Sequence, residues 1–152
     1  MYLTLNSAIQ CLPREYELLA GAKKLTLLAL RCAANHYGRQ LADEQEVLAH
    51  IADAAMQTYA LESALLRTSK MVAAKGEDNC SAPIDIARVY ASDTADRVRH
   101  CGKQIIAALP APGGTNALSE IVFRLAHYPA FNAVAARRRI ADILVKAGRY
   151  PF

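Results

Sequence analysis

The sequence predicts an all-α protein: an antiparallel helical bundle of three long helices plus two shorter C-terminal helices. Three observations lead there. Hydrophobic residues make up 53% and charged residues 21% of 152 positions, which suits a chain with a real core rather than a disordered tail. The seven glycines and six prolines fall mostly at the ends of periodic stretches instead of inside them. Apolar residues recur at the helical period along three long segments, and no segment keeps the alternation of a strand.

The first long helix opens at Pro13, where a missing N–H costs nothing, and runs to about Tyr37 before Gly38. Leu18, Ala22, Leu25, Ala29 and Cys32 form one apolar stripe, and Leu19, Leu27, Leu30, Ala34 and Tyr37 a second beside it. Two stripes imply contact with more than one neighbour. The second helix is expected to open with Asp43 and Glu46 spaced as a capping box, and to reach Lys75 before Gly76. That is about 30 residues and roughly 45 Å. Its stripe is Val47, Ile51, Ala54, Thr58, Leu61, Leu65 and Val72; the stretch 59–66 is apolar almost all round and is expected to be the most buried part.

A polar loop follows Gly76, and Ser81 and Pro83 signal the next helix start. Ile84, Ala87, Ala91, Ala95, Val98, Cys101, Ile105 and Leu109 then face one way, while Asp85, Arg88, Ser92, Asp96, Arg99 and Lys103 face the other. The Pro- and Gly-rich run after Leu109 breaks the pattern. A short helix is expected from about Asn116 to His127, and a last one from Pro129 to Gly148 with Val134, Ile140, Ile143 and Leu144 inward. The whole reads as one domain over 1–152, with linkers at 1–12 and 110–115, a three-helix core at 13–109 and C-terminal helices at 116–152.

Charge and composition narrow the function classes. A net charge of +4 permits weak attraction to acidic partners, but the basic residues are interleaved with acidic ones. The exception, Arg137-Arg138-Arg139, fans around a helix instead of forming a stripe, so nucleic acid is not an expected partner. Cys11, Cys32, Cys80 and Cys101 show no paired spacing and read as small apolar residues of a reducing compartment. The first twelve residues lack a basic, then apolar, secretory pattern, and no run approaches the ~20 apolar residues of a membrane span. A cytoplasmic location is the expectation.

Polar side chains were weighed for chemistry one by one. His36 near the end of the first helix suits the negative end of its dipole. His50 and Asp53 are one turn apart and could supply two metal ligands, but a zinc or di-iron site needs more from other helices, and no Glu-x-x-His occurs. His100 and Cys101 are adjacent in sequence and therefore do not face each other as a nucleophile pair would. Gly113-Gly114 reads as linker, and no phosphate-cradling loop exists. Glu62, in the apolar half of the second helix, is expected to be a buried carboxylate paired with Arg88 or Arg97. No catalytic, cofactor-binding or metal residue is assigned.

An ordered series of segments does carry a likeness. It comprises Ala22-Lys23-Lys24, residues 42–48, Ile51-Ala52-Asp53, residues 59–67, Ala87-Arg88-Val89-Tyr90, Asp96-Arg97-Val98 and the close from Ile140 to Phe152. From about Leu12 onward the chain resembles the helical C-terminal extension of very-long-chain-type acyl-CoA dehydrogenases, in bacterial form. Members of that family bind FAD and oxidise the Cα–Cβ bond of an acyl-CoA thioester, with a glutamate base in a Glu-Gly-Thr-type segment upstream of the extension. No Glu-Gly pair exists here, so Glu62 does not inherit that role.

The resemblance implies a non-catalytic domain that holds no FAD itself, packs on a catalytic region in cis or trans, and supports a homo-oligomer in fatty-acid oxidation. It further implies an exposed apolar face where the catalytic region is missing. In the mitochondrial enzyme the region after the second helix is linked to membrane association; its counterpart would be 71–89, whose balanced charges and few bulky apolar residues make a weak lipid anchor. The alternatives are a stand-alone helical scaffold or adaptor, and a peripheral lipid-surface module.

Overall fold

A computed structural model of the chain describes residues 11–109 and 116–149. The expected linker at 110–115, most of the one at 1–12, and the final Tyr150-Pro151-Phe152 lie outside the described residues. Among the described residues there are five α-helices and no strand: α1 (Pro13–Tyr37), α2 (Gln45–Lys75), α3 (Ser81–Ala108), α4 (Asn116–Leu125) and α5 (Ala133–Ala147). The all-α class follows from the periodicity as predicted.

The helix ends have local causes. Pro13 occupies the first turn of α1, and the Leu12 carbonyl accepts the Tyr16 N–H at 3.1 Å. Gly38 ends α1 at φ +55° and Gly76 ends α2 at φ +81°, backbone conformations that a Cβ would strain; each donates its N–H back to a carbonyl four residues earlier, Ala34 and Val72. The expected capping box does not form. Gly38–Asp43 winds into a 3-10 turn, so Asp43 falls just short of α2 and Glu44 sits at its cap without a side-chain bond. α5 begins later than Pro129 predicts, because Asn132 Oδ1 accepts the Ala135 N–H at 3.0 Å and fixes the start there.

Side-chain bonds set the register of the bundle. Tyr16 bonds Ser69 at 2.8 Å and Lys23 bonds Glu62 at 2.6 Å, so α1 and α2 run antiparallel in one continuous register. Tyr90 donates to Gln57 at 3.2 Å, and the rings of His50 and His100 meet at 5.9 Å, which sets α3 antiparallel to α2. The core between them is built by Leu18, Leu19, Leu61, Leu65, Ile84, Ala87 and Ala91 at one end and by Ala29, Ala33, Val47, Ile51 and Ile105 at the other. All eight expected inward residues of α3 are buried. Their many alanines bring the backbones close and leave room for the leucines of α1 and α2.

α4 closes the bundle across α1 and α3. Its Val122 and Ala126 join Ala22, Leu25, Val98 and Ile106 in a third buried cluster. The approach is so tight that a Cβ on Gly21 would run into the Leu125 carbonyl oxygen, and one on Gly102 would lie 3.1 Å from Val122. α5 packs on α3, burying Ala136 rather than Val134, which is exposed; Ile140, Ile143 and Leu144 are half-buried.

Two burial expectations fail. The stretch 59–66 is not the most buried part: Tyr59 is 74% exposed and Leu66 is exposed as well, because only one side of α2 meets α1 and α3. The second stripe of α1 is likewise bare at Leu27, which is 66% exposed, and at Leu30 and Ala34.

Candidate functional site

The histidines and their neighbours stay apart from one another except in one place. His36, in the last turn of α1, is exposed and stacks edge-on against Tyr37 at 4.6 Å. His50, Asp53, Gln57, Arg97, His100 and Cys101 line a shallow cavity of 280 Å³ between α2 and α3. The two imidazoles meet there at 73°, but Asp53 and His100 are exposed and Cys101 turns into the core. Burial pushes the Cys101 thiol above its ordinary value of 9.0, with Asp53 adding to the shift, so its thiolate is disfavoured. Among the described residues no group of three or more His, Cys, Asp or Glu is arranged to hold a metal ion.

Glu62 does not meet Arg88 or Arg97. It is half-exposed on the outer side of α2 and pairs with Lys23 of α1 at 2.6 Å. The carboxylate that is buried is Glu15, in the first turn of α1 and only 3% exposed. Tyr128 donates a hydrogen bond to it, and Arg88 Nε stands 4.0 Å away while its other end reaches the Cys11 carbonyl at 3.3 Å. Burial and the Glu15 hydrogen bond push the Tyr128 phenol well above its ordinary 10.0. These groups edge a 520 Å³ cavity with Pro13, Pro129 and Phe131. Glu15 was illegible in the sequence because its partner arrives from the segment between α4 and α5, more than a hundred residues away. A first-turn glutamate ordinarily needs only the helix dipole.

The three consecutive arginines are largely neutralised. Arg137 grips Asp93 with both contacts at 2.7 and 2.8 Å, and Arg139 grips Asp85 likewise at 2.7 and 2.8 Å. Arg99 donates to the Ala126 carbonyl at 2.8 Å and lies 5.3 Å from the Phe123 ring centre. The outward polar side of α3 is therefore an internal seam for α4 and α5. In the segment 71–89, Cys80, Ala82, Pro83, Ile84 and Ala87 point into the core, and Lys75, Glu77 and Asp78 remain outside. That leaves no apolar face there for a bilayer. Among the described residues, no helix is long and apolar enough to cross a membrane.

What the molecule does offer is a surface. Leu27 and Leu30 on α1, and Met56, Tyr59 and Leu66 on α2, are all exposed and stand on the side of the hairpin bridged by Lys23 and Glu62. An apolar patch of this composition marks a contact face more often than open solvent.

Comparison with known proteins agrees with a helical accessory part. A family model described as "Acyl-CoA dehydrogenase, C-terminal domain" matches residues 21–117. A curated relative from Bacillus subtilis (strain 168), described as "Probable acyl-CoA dehydrogenase", is 27% identical over 139 residues. That match takes in 91% of this chain and 23% of the relative. The crystal structure of an acyl-CoA dehydrogenase complexed with FAD from Bacillus anthracis is similar with a TM-score of 0.87 at 27% identity, over 91% of this chain and 24% of that one. The chain thus spans about a quarter of the length of these relatives.

Proposed function

Because the chain belongs to the acyl-CoA dehydrogenase C-terminal domain family, we propose that it acts as the non-catalytic helical domain of an FAD-dependent acyl-CoA dehydrogenase. On this reading it forms a single domain over 1–152, packs on the catalytic body, supports oligomer assembly and serves fatty-acid oxidation in the cytoplasm. The observation that carries the reading is the family match on a chain that spans only about a quarter of its relatives.

The residues in hand support a division of labour. Removing an α-proton needs a carboxylate that substrate can reach. Glu15 is enclosed by Tyr128 and Arg88, and Glu62 is spent on Lys23. FAD fits no better. The largest cavity, 730 Å³ between α1 and α4, is edged by Phe123 and His127 but carries Glu17, whose charge would repel a diphosphate. The chain has no glycine-rich phosphate loop. Flavin and base both belong to the catalytic body.

The test is an immunoblot of source cells with an antibody against this chain, followed by capture of what it recognises. A species much heavier than 16.5 kDa, or a 16.5 kDa band captured with a flavoprotein, supports the reading. A 16.5 kDa band that brings down no flavin sinks it.

A further inference from the structure

We infer that the catalytic region seats on the outer face of the α1–α2 hairpin, and that its matching surface is apolar with an acidic border. This rests on the reading above that the chain works against a catalytic region. The two helices share one register, fixed by Tyr16 on Ser69 and Lys23 on Glu62, which sets Leu27 level with Tyr59 and Leu30 level with Met56. Within each helix the same residues fall on one side. Leu27 and Leu30 follow Lys23 by one and two turns, and Tyr59 and Leu66 lie one turn either side of Glu62. The result is a continuous Leu, Met and Tyr surface with a single neutralised ion pair at its centre, the composition of an interface core.

Its border is basic: Arg31 on α1 and Arg67 and Lys70 on α2 are exposed around it, with Glu62 already satisfied by Lys23. That charge favours an acidic rim on the occupant. The other exposed apolar residues make no comparable surface. Phe123 is under the Arg99 guanidinium, and Val134 and Val145 stand singly on α5. The far side of the bundle is already covered by α4 and α5, whereas the relatives extend well beyond the quarter that this chain spans. That additional chain is the material available to cover the hairpin.

Hydroxyl-radical footprinting reads the face directly, since Met56, Tyr59 and Phe123 all oxidise readily. The flavin-bearing species captured by the antibody is compared with the isolated chain. Oxidation of Met56 and Tyr59 should fall at least fivefold in the captured species, while Phe123 changes less than twofold. A flavin-bearing species in which Met56 and Tyr59 remain as reactive as in the isolated chain overturns the face and leaves the domain reading standing. Protection of both residues in the isolated chain as its concentration rises assigns the face to a second copy and overturns the inference too. Capture without flavin removes the domain reading and the inference together. As a second arm, L27E with Y59E placed in the gene as it stands in the cell should lower the flavin captured at least tenfold; V145E should leave it unchanged.

Discussion

The outward side of α3 carries Asp85, Arg88, Asp96 and Arg99 and is overlaid by α4, α5 and the segment between them, whereas the outward side of the α1–α2 hairpin carries Leu27, Leu30, Tyr59 and Leu66 and is bare. Residue type alone would assign these two faces the other way round. On α3 the polar groups find partners of opposite charge or bare carbonyls: Arg139 for Asp85, the Ala126 carbonyl for Arg99. Charged groups can be covered when the covering element brings their hydrogen bonds with it. On the hairpin, nothing else in the described chain reaches the leucines. Amphipathicity therefore reports which surface avoids water and is silent on which molecule covers it.

The covered side should be the more sensitive to substitution. Gly21→Val drives side-chain atoms into the α4 backbone at Leu125, which cannot yield as a side chain would. A loss of about 3 kcal/mol is expected by urea unfolding, with early hydrogen exchange in α4. A loss below about 0.5 kcal/mol, within the range of ordinary surface changes, would mean that α4 is not seated as described.

Next comes Tyr128→Phe, which leaves the Glu15 carboxylate buried without its donor and is expected to cost about 2 kcal/mol near neutral pH. It should also change the alkaline limb. The folded state raises the Tyr128 phenol above its ordinary 10.0, so it holds that proton more tightly than the unfolded chain does. The associated stability is intact below about pH 10 and is lost as pH rises past it. The parent protein should therefore lose stability more steeply above pH 10 than the Phe variant. Parallel pH profiles would remove the Tyr128–Glu15 bond from the account.

On the inward side of α3 the sign reverses. Thr94 is fully buried, and its hydroxyl finds no partner among the described residues. Replacing it by Val removes that group at nearly constant shape, so Thr94→Val should gain about 1 kcal/mol; a thermal melt that falls instead would show that the hydroxyl is satisfied. The smallest effect belongs to the bare face. Leu27→Glu and Tyr59→Glu should each change the stability of the isolated chain by less than about 0.5 kcal/mol. A larger loss would mean that this face is packed in solution and that the contrast between the two faces is false.

Much of this architecture is legible before any coordinates. The limits of α1 and α2 at Pro13, Gly38 and Gly76, and the buried stripe of α3, are local matters that helical period and end chemistry settle. The failures share a cause. Asp43 with Glu46 has capping-box spacing, but the 3-10 turn at Gly38–Asp43 consumes the residue that would cap. Glu62 looked stranded among leucines, yet its own turn of α2 is at the outer edge, within reach of Lys23. Glu15 drew no attention because Tyr128 comes to it from a distant segment. The likeness in order of segments carried the family; the face that would bind could not be read from it.

The sequence by itself determined that this chain is helical, where its long helices stop, which side of α3 is core, and that no reactive constellation is assembled along any one helix. These follow from forces that act within a few turns: backbone hydrogen bonding, side-chain period and the strain of a Cβ at positive φ. Tertiary structure alone decided that the charged side of α3 is an internal seam, that Glu15 and not Glu62 is the buried carboxylate, and that an apolar face of α1 and α2 stands open. Those outcomes depend on which surfaces meet, and hydrophobic burial is non-directional: it rewards cover without specifying its source.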